Sequence, residues 1–305
     1  MKKTTMKDIA KAANVSVATV SYVLNRVANQ TIPEETRSLI FNIAKELNYV
    51  PNLAARSLKK KTGLVGILIN KDTSLPFWKQ FGQHHFVDGL ERLLTAAGYH
   101  TLLISLNPAN PSMDVIVERR LDAVFLIDVK EEVFYSISSK FVEGVPLILI
   151  DSLIEDQLFN QILFDYQTAL RQACRFFDAP PCLVMENYHN QGLVNFIRES
   201  SGLKTEDIFV IDNVADLVGF TEGPHRENVI VVNEFLGSYF ERSNLAGNIA
   251  VICTCHCPEI LSAATRKVIF RNDKCSIAFE MMKKLINPAD YESFAKNRFL
   301  VEVEQ

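Results

Sequence analysis

No run of apolar residues in this 305-residue chain approaches the roughly 18 that a membrane-spanning helix needs. The start, Met1-Lys-Lys-Thr-Thr-Met-Lys-Asp8, is basic, but no hydrophobic signal segment follows it, so a cytoplasmic protein is expected. The phosphate-binding loop, the nucleotide glycine fingerprint and the nucleophile elbow are all missing. Without them the usual sequence signs of a nucleotide enzyme or an α/β hydrolase are gone. Asp165, Glu186 and His189 can be grouped into an acid–base set, but nothing in their spacing requires it. The expectation is a non-enzyme with no cofactor. No tandem repeat is visible. Paired Cys-x-x-Cys, the common zinc pattern, is also absent.

Six cysteines are present at positions 174, 182, 253, 255, 257 and 275. In a cytosolic chain they act more readily as small buried hydrophobes than as a disulfide framework. Cys253, Cys255 and Cys257 alternate, so on a strand they share one face, with His256 opposite. Two readings stay open: inert core thiols, or a thiophilic metal or redox site.

With 48% hydrophobic and 22% charged residues the chain has material for packed cores and does not resemble a disordered protein. Its length is about twice that of a typical domain. The net charge of −4 conceals an asymmetry: residues 1–61 carry 11 Lys/Arg against 4 Asp/Glu, and the remainder carry 21 against 32. A basic head on an acidic body suggests that the head meets a polyanion; a solvated basic face with no partner is the alternative.

Helical periodicity governs the first 50 residues. Thr5 and Asp8 have capping-box spacing ahead of Ile9, Ala10 and Ala13. Asn14 and Val15 break the pattern, and Ser16 is an N-cap candidate for a helix carrying Val20, Val23 and Leu24. Pro33, Glu34 and Glu35 open a third helix with the stripe Leu39, Ile40, Ile43, Ala44 and Leu47. Two short helices joined by a tight turn, then a third, form a helix-turn-helix pattern. Tyr49-Val-Pro-Asn52 ends the unit, and residues 53–58 have room for one or two helical turns before Lys59, Lys60 and Lys61.

From Gly63 the text alternates between strand and helix. Strand-like runs are 64–69, 101–104, 123–127, 146–150, 182–185, 208–211, 229–232 and 249–253, with amphipathic helices such as 81–97 and 193–201 between them. Alternating βα units predict parallel sheets covered on both faces. Eight to ten strands over this length suit two similar subdomains. The expected organisation is a helix-turn-helix head at 1–50, a hinge and linker at 51–61, and a body at 62–305.

The segment Met6-Lys-Asp-Ile-Ala-Lys-Ala-Ala-Asn-Val-Ser-Val-Ala-Thr-Val-Ser-Tyr-Val-Leu-Asn25 closely resembles the helix-turn-helix of the lactose-repressor (LacI/GalR) family. Pro33-Glu-Glu-Thr-Arg37, Leu47-Asn-Tyr49 and Pro51-Asn-Leu-Ala-Ala-Arg-Ser-Leu58 continue the likeness. Beyond residue 61 it weakens to Val65-Gly-Ile67, Ser74-Leu-Pro-Phe-Trp78, Ala97-Gly-Tyr99 and Leu121-Asp-Ala-Val124, and after about residue 180 it is thin. The resemblance implies a sequence-specific transcription regulator, a repressor, that binds a near-palindromic operator as a homodimer, with a tetramer as the alternative assembly. It would be cytoplasmic and associated with the nucleoid when bound to DNA. The alternatives are a regulator that is effector-independent or controlled by a protein partner, metal or redox state, and an enzyme or binding protein on the same α/β body.

In such motifs the second helix enters the major groove. Val17, Ala18 and Tyr22 match the base-reading positions, while Thr5, Ser16, Thr19, Ser21 and Asn25 suit phosphate contacts. Val17 and Ala18 offer apolar surface for thymine methyl groups. Tyr22 stands where arginine is common; its other reading is a surface aromatic covering the helix end. The hinge resemblance adds Asn52, Ala55, Arg56, Leu58 and Lys59, with Leu58 as a minor-groove wedge or a plain linker residue.

The body resembles periplasmic sugar-binding proteins, with two doubly wound parallel-sheet subdomains around an effector cleft. The resemblance places Asp72, Ser74, Phe77 and Trp78 near the cleft, with Asp151 and Asp165 after later strands. Trp78, the only tryptophan, fits either cleft or core. His189 stands where an effector-gripping arginine is common, and Asn233-Glu234 where Asn-Asp is usual. Cys253-Thr-Cys-His-Cys257 replaces the family's Gly-Phe-Asp. The implied effector is a small molecule other than an ordinary polyol, or none.

Overall fold

A computed structural model describes residues 5–24, 32–47, 49, 62–70, 76–106, 121–138, 145–156, 159–217, 220, 227–287 and 297–304. The head holds α1 (Met6–Ala13), α2 (Val17–Leu24) and α3 (Glu34–Glu46), which pack on one another. Asp8 Oδ2 accepts from the Thr5 backbone N–H at 2.8 Å and from its hydroxyl at 2.7 Å, tying down the start of α1. Asn14 ends α1 in the left-handed region, at φ 53°, a conformation that asparagine tolerates. Ser16 Oγ accepts from the Thr19 N–H at 2.9 Å and so caps α2. Ile9, Val20, Val23, Ile40 and Ala44 are fully buried and form the centre of the head. The expected stripe on α3 is too wide: Leu39 is 47% exposed and Leu47 37%. Two short helices cover only the face centred on Ile40 and Ala44.

Two all-parallel sheets make the body. Lobe 1 holds β1 (Leu64–Asn70), β2 (His100–Leu106), β3 (Ala123–Ile127), β4 (Leu147–Ile150), β5 (Asn160–Phe164) and β11 (Arg298–Val301), in the order β11-β5-β4-β3-β1-β2. Its helices are α4 (Phe77–Ala96), α5 (Glu131–Ser138) and α9 (Lys274–Ile286). Lobe 2 holds β6 (Cys182–Glu186), β7 (Ile208–Ile211), β8 (Asn228–Val232), β9 (Asn248–Cys253) and β10 (Arg266–Ile269), in the order β10-β9-β8-β6-β7. Its helices are α6 (Tyr166–Cys174), α7 (Gln191–Ser201) and α8 (Glu234–Ser243). Every residue of β3, β4 and β6 is buried, as expected of sheets covered on both faces.

The structure has eleven strands among the described residues, not eight to ten. The additions β5, β10 and β11 each carry only two or three consecutive apolar residues, too few for a periodic signal. Helix α4 starts at Phe77, four residues before the expected 81.

Among the described residues the chain crosses between lobes three times, at 164–166, 270–274 and 301–303. These crossings lie side by side. The Asp165 N–H donates to Val301 O at 3.0 Å, the Arg271 N–H to Glu302 O at 2.9 Å, and Phe270 bridges Val303. The rings of Phe164 and Phe270 stack at 4.4 Å across them. In each sheet the strand order reverses beside the first strand, β1 or β6, and ligand crevices form at the strand C-termini of such switch points. The two sheets turn those ends toward a shared cleft.

Candidate functional site

On the head, α2 presents Val17 (42% exposed), Ala18 and Tyr22 (36% exposed) to solvent, while Val20 and Val23 face inward. Thr5 and Ser16 are exposed, and Thr19 and Ser21 are half-buried. The Ser16 and Thr19 hydroxyls lie 2.8 Å apart. Thus α2 and its cap residue Ser16 carry the base-reading candidates and most of the described phosphate-contact candidates, while Thr5 caps α1. Asn25, Asn52, Ala55, Arg56, Leu58 and Lys59 lie outside the described residues, as do Asp72 and Ser74.

The cleft between the lobes contains a cavity of about 80 Å³, walled by Trp78, Phe86, Phe164, Tyr166 and Tyr188, with Asp128, Asp151, Glu186, Lys79 and Lys274 among its polar lining. An open hollow of about 620 Å³ shares Lys79 and Tyr188 with it and includes His189. Four non-glycine residues adopt positive φ at strand ends here: Asp128 (47°), Asp151 (50°), Asn233 (96°) and His256 (55°). Backbone strain of this kind is retained where surrounding structure over-determines it, often at ligand sites.

Asp151, expected near the effector, does line the cavity, and Lys274 donates to both its oxygens at 2.6 and 2.5 Å. The same ammonium lies 4.0 Å from the Phe164 ring centroid. Burial raises the Asp151 carboxyl's pKa against the pull of Lys274. Trp78 resolves the choice between cleft and core by doing both. It lines the cavity, yet from α4 it enters the lobe 2 cluster with Val184, Val231 and Leu236.

Several expected ligand positions serve other purposes. Phe77 is 65% exposed, outside the cavity lining, and packs edge-on against Phe235 of the other lobe at 5.4 Å. Asp165 caps α6, accepting from the Thr168 N–H at 3.0 Å, and also lies outside the lining. Glu234 is fully buried, and its carboxylate accepts from the N–H groups of Thr254 and Cys255 (2.9 Å each) and Cys257 (3.1 Å). It is an anchor for the loop after β9, not a ligand group. That loop also corrects the alternating-strand reading of the cysteines. β9 ends at Cys253, and the next residues wrap around Glu234 with His256 in the left-handed region.

All six cysteines are free. Burial, reinforced by the charge of Glu234, raises the thiol pKa values of Cys253 and Cys255, and that of Cys257 to about 12. Burial and the neighbouring carboxylate thus favour the protonated thiol at all three positions. Among the described residues no three His, Cys, Asp or Glu side chains stand together to hold a metal ion.

His189 holds the lobes together. Its backbone N–H donates to Asp128 Oδ1 at 3.0 Å and its Nδ1–H to Asp128 Oδ2 at 2.8 Å. Next to it, fully buried Asn190 donates to Val129 O at 3.0 Å and accepts from the Leu153 N–H at 2.9 Å. Gly192 allows this approach, since a Cβ there would lie 2.5 Å from Leu153 O. Lys79 of lobe 1 donates to Asn187 O of lobe 2. Sequence reasoning missed Asp128, Lys79, Tyr166, Tyr188, Asn190 and Lys274. Asp128 was accessible, because it directly follows a well-marked strand.

A three-helix head on two parallel-sheet lobes, with the cleft at their strand ends, gives a body built like the two-lobed periplasmic binding proteins. Residues 5–52 match the model of the lacI family of bacterial regulatory proteins. The catabolite control protein A of Staphylococcus xylosus is 30% identical over 176 residues, 55% of this chain and 50% of that protein. The ribose operon repressor of Escherichia coli is 34% identical over 128 residues, 40% of this chain and 36% of that protein. The chain thus spans half or less of the length of these curated relatives. Among solved structures, a lac repressor dimer bound to operator and the anti-inducer ONPF superposes with a TM-score of 0.56 at 16% identity, covering 99% of this chain and 97% of that one. A periplasmic binding protein/LacI transcriptional regulator from Alkaliphilus metalliredigens, complexed with D-xylulofuranose, does so at 0.55 and 13%, covering 80% and 97%. At these identities the likeness shows the fold. No described helix is long and apolar enough to cross a membrane.

Proposed function

We propose that this chain is a sequence-specific DNA-binding transcription regulator, a cytoplasmic repressor that reads a near-palindromic operator as a dimer. The carrying observation is the exposed row Val17, Ala18 and Tyr22 on the second helix of a head that matches the lacI-family model. That helix is about 12 Å long, a length that fits the major groove. The basic surplus of residues 1–61 supplies phosphate attraction, and its salt dependence follows from counterion release. The fold likeness to an operator-bound dimer supports two linked heads. The body needs no catalytic role.

The interlobe cavity is the proposed effector site, and its size limits the effector. An enclosed apolar cavity of about 150 Å³ takes a six-carbon ring. The 80 Å³ here, although polar-lined and partly open, is smaller and favours an effector of a few heavy atoms. A second reading, effector-independent control, draws on the cross-cleft bonds of His189 and Asn190, which tie the lobes through protein groups. Selection of bound genomic fragments, with and without small metabolites, tests both. A shared near-palindrome is expected. Fragments recovered at random would contradict the regulator, and selection unaffected by every small metabolite would favour the second reading. Sedimentation as a monomer would contradict the dimer.

A further inference from the structure

The polar groups of the interlobe cavity do not balance. Lys274 is matched to Asp151, and Lys79 Nζ lies 4.0 Å from Asp128 Oδ2. The third lining carboxylate, Glu186, is 5% exposed and has no ion-pair partner among the described residues. Its Oε1 accepts from Asn233 Nδ2 at 3.3 Å, and its Oε2, though near the Tyr188 hydroxyl, has no partner within hydrogen-bonding geometry. The indole Nε1–H of Trp78, a side chain 8% exposed on the same cavity, is also without one. Buried polar groups are seldom left unpaired, and each unpaired one carries a desolvation cost that a ligand can remove.

Resting on the reading of this cavity as the effector site, we infer that it takes a small primary ammonium compound bearing a hydroxyl group, an amino alcohol of about four or five heavy atoms. The ammonium donates to Glu186 Oε2 and supplies the missing counter-charge; the ligand hydroxyl accepts from Trp78 Nε1–H. The walls suit a cation, because aromatic faces attract one and Lys274 already lies over Phe164. His256 adds no competing positive charge, since burial and the nearby Lys274 lower its pKa to about 4. A carboxylate ligand would add charge to the sign already in excess, and a neutral polyol would leave Glu186 with only the through-space charge of Lys79 and no ion pair.

The test titrates the full chain with ethanolamine at pH 8, following Trp78 fluorescence and heat, with glycerol, acetate and glucose as comparators. Saturable ethanolamine binding is expected, at least tenfold tighter than any comparator and weakened at least tenfold in Glu186→Gln. Trp78→Phe should lose the optical signal and keep a weakened heat signal. Equal binding of glycerol and ethanolamine, no saturable ethanolamine binding, or a Glu186→Gln variant of unchanged affinity would overturn the inference. Should that variant not fold, the ligand comparison on the unaltered chain decides. Operator binding measured without ligand stays separate: its loss alongside intact ethanolamine binding counts against the regulator, and the reverse pattern against the amino alcohol.

Discussion

Replacing Glu186 by glutamine should change how stability depends on pH. Burial, opposed by the charge of Lys79, raises the Glu186 carboxyl from 4.5 to about 7 in the folded chain. The native state then binds a proton more tightly than the unfolded state, so this group's contribution is full below pH 4.5 and is lost as pH rises to about 7. At 1.36 kcal/mol per unit the loss is about 3 kcal/mol. His256 acts in the opposite sense. Its folded pKa is lowered from 6.5 to about 4, so its contribution is present above 6.5 and is lost as pH falls toward 4. In the unaltered chain the two slopes offset one another between about pH 4.5 and 6.5. Glutamine keeps the shape of the protonated acid and removes the titration, leaving the His256 slope exposed. Urea unfolding of both proteins at pH 5 and pH 8 measures the difference. Glu186→Gln should gain about 2.5 kcal/mol relative to the parent between the two conditions, whereas His256→Asn should shift the opposite way. A Glu186→Gln difference constant to within about 0.5 kcal/mol would refute the raised carboxyl.

Lys274→Met should destabilise the chain by about 1–3 kcal/mol, because the half-buried Asp151 carboxylate loses its ion-pair partner; adding Asp151→Asn should recover much of the loss in the same unfolding assay. Tyr22→Ala should narrow the gap between operator and point-mutated operator by about 1–3 kcal/mol at one position of each half-site, measured by fluorescence anisotropy. Leu58→Ala should weaken operator binding by about 1–3 kcal/mol and leave random-duplex binding nearly unchanged, because only the operator complex takes up a wedge; equal losses would make Leu58 a plain linker residue.

The head was largely legible in the sequence because its signals are local. Thr5 with Asp8, and Ser16 with Thr19, cap helices three residues apart, and the cap pattern can be read directly from such spacing. Periodicity alone did not show how wide the packed face of α3 is, so Leu39 was assigned to the core. In the body, buried apolar runs marked eight strands, whereas β5, β10 and β11 are too short to stand out. The cleft was least legible. Asp151 and Lys274 are 123 residues apart and meet only because α9 returns to lobe 1 after the second crossing. Glu234 resembled a ligand acid by position, but three backbone N–H groups claim its carboxylate. His189 sits at a plausible effector position by sequence, and its ring instead meets Asp128 across the cleft.

The most direct test of the central claim is the affinity of the full chain for its selected near-palindromic duplex, compared with a scrambled duplex at near-physiological salt. The account predicts a preference on the order of a thousandfold or more, with affinity falling as salt rises. Equal affinity for the two duplexes would contradict it.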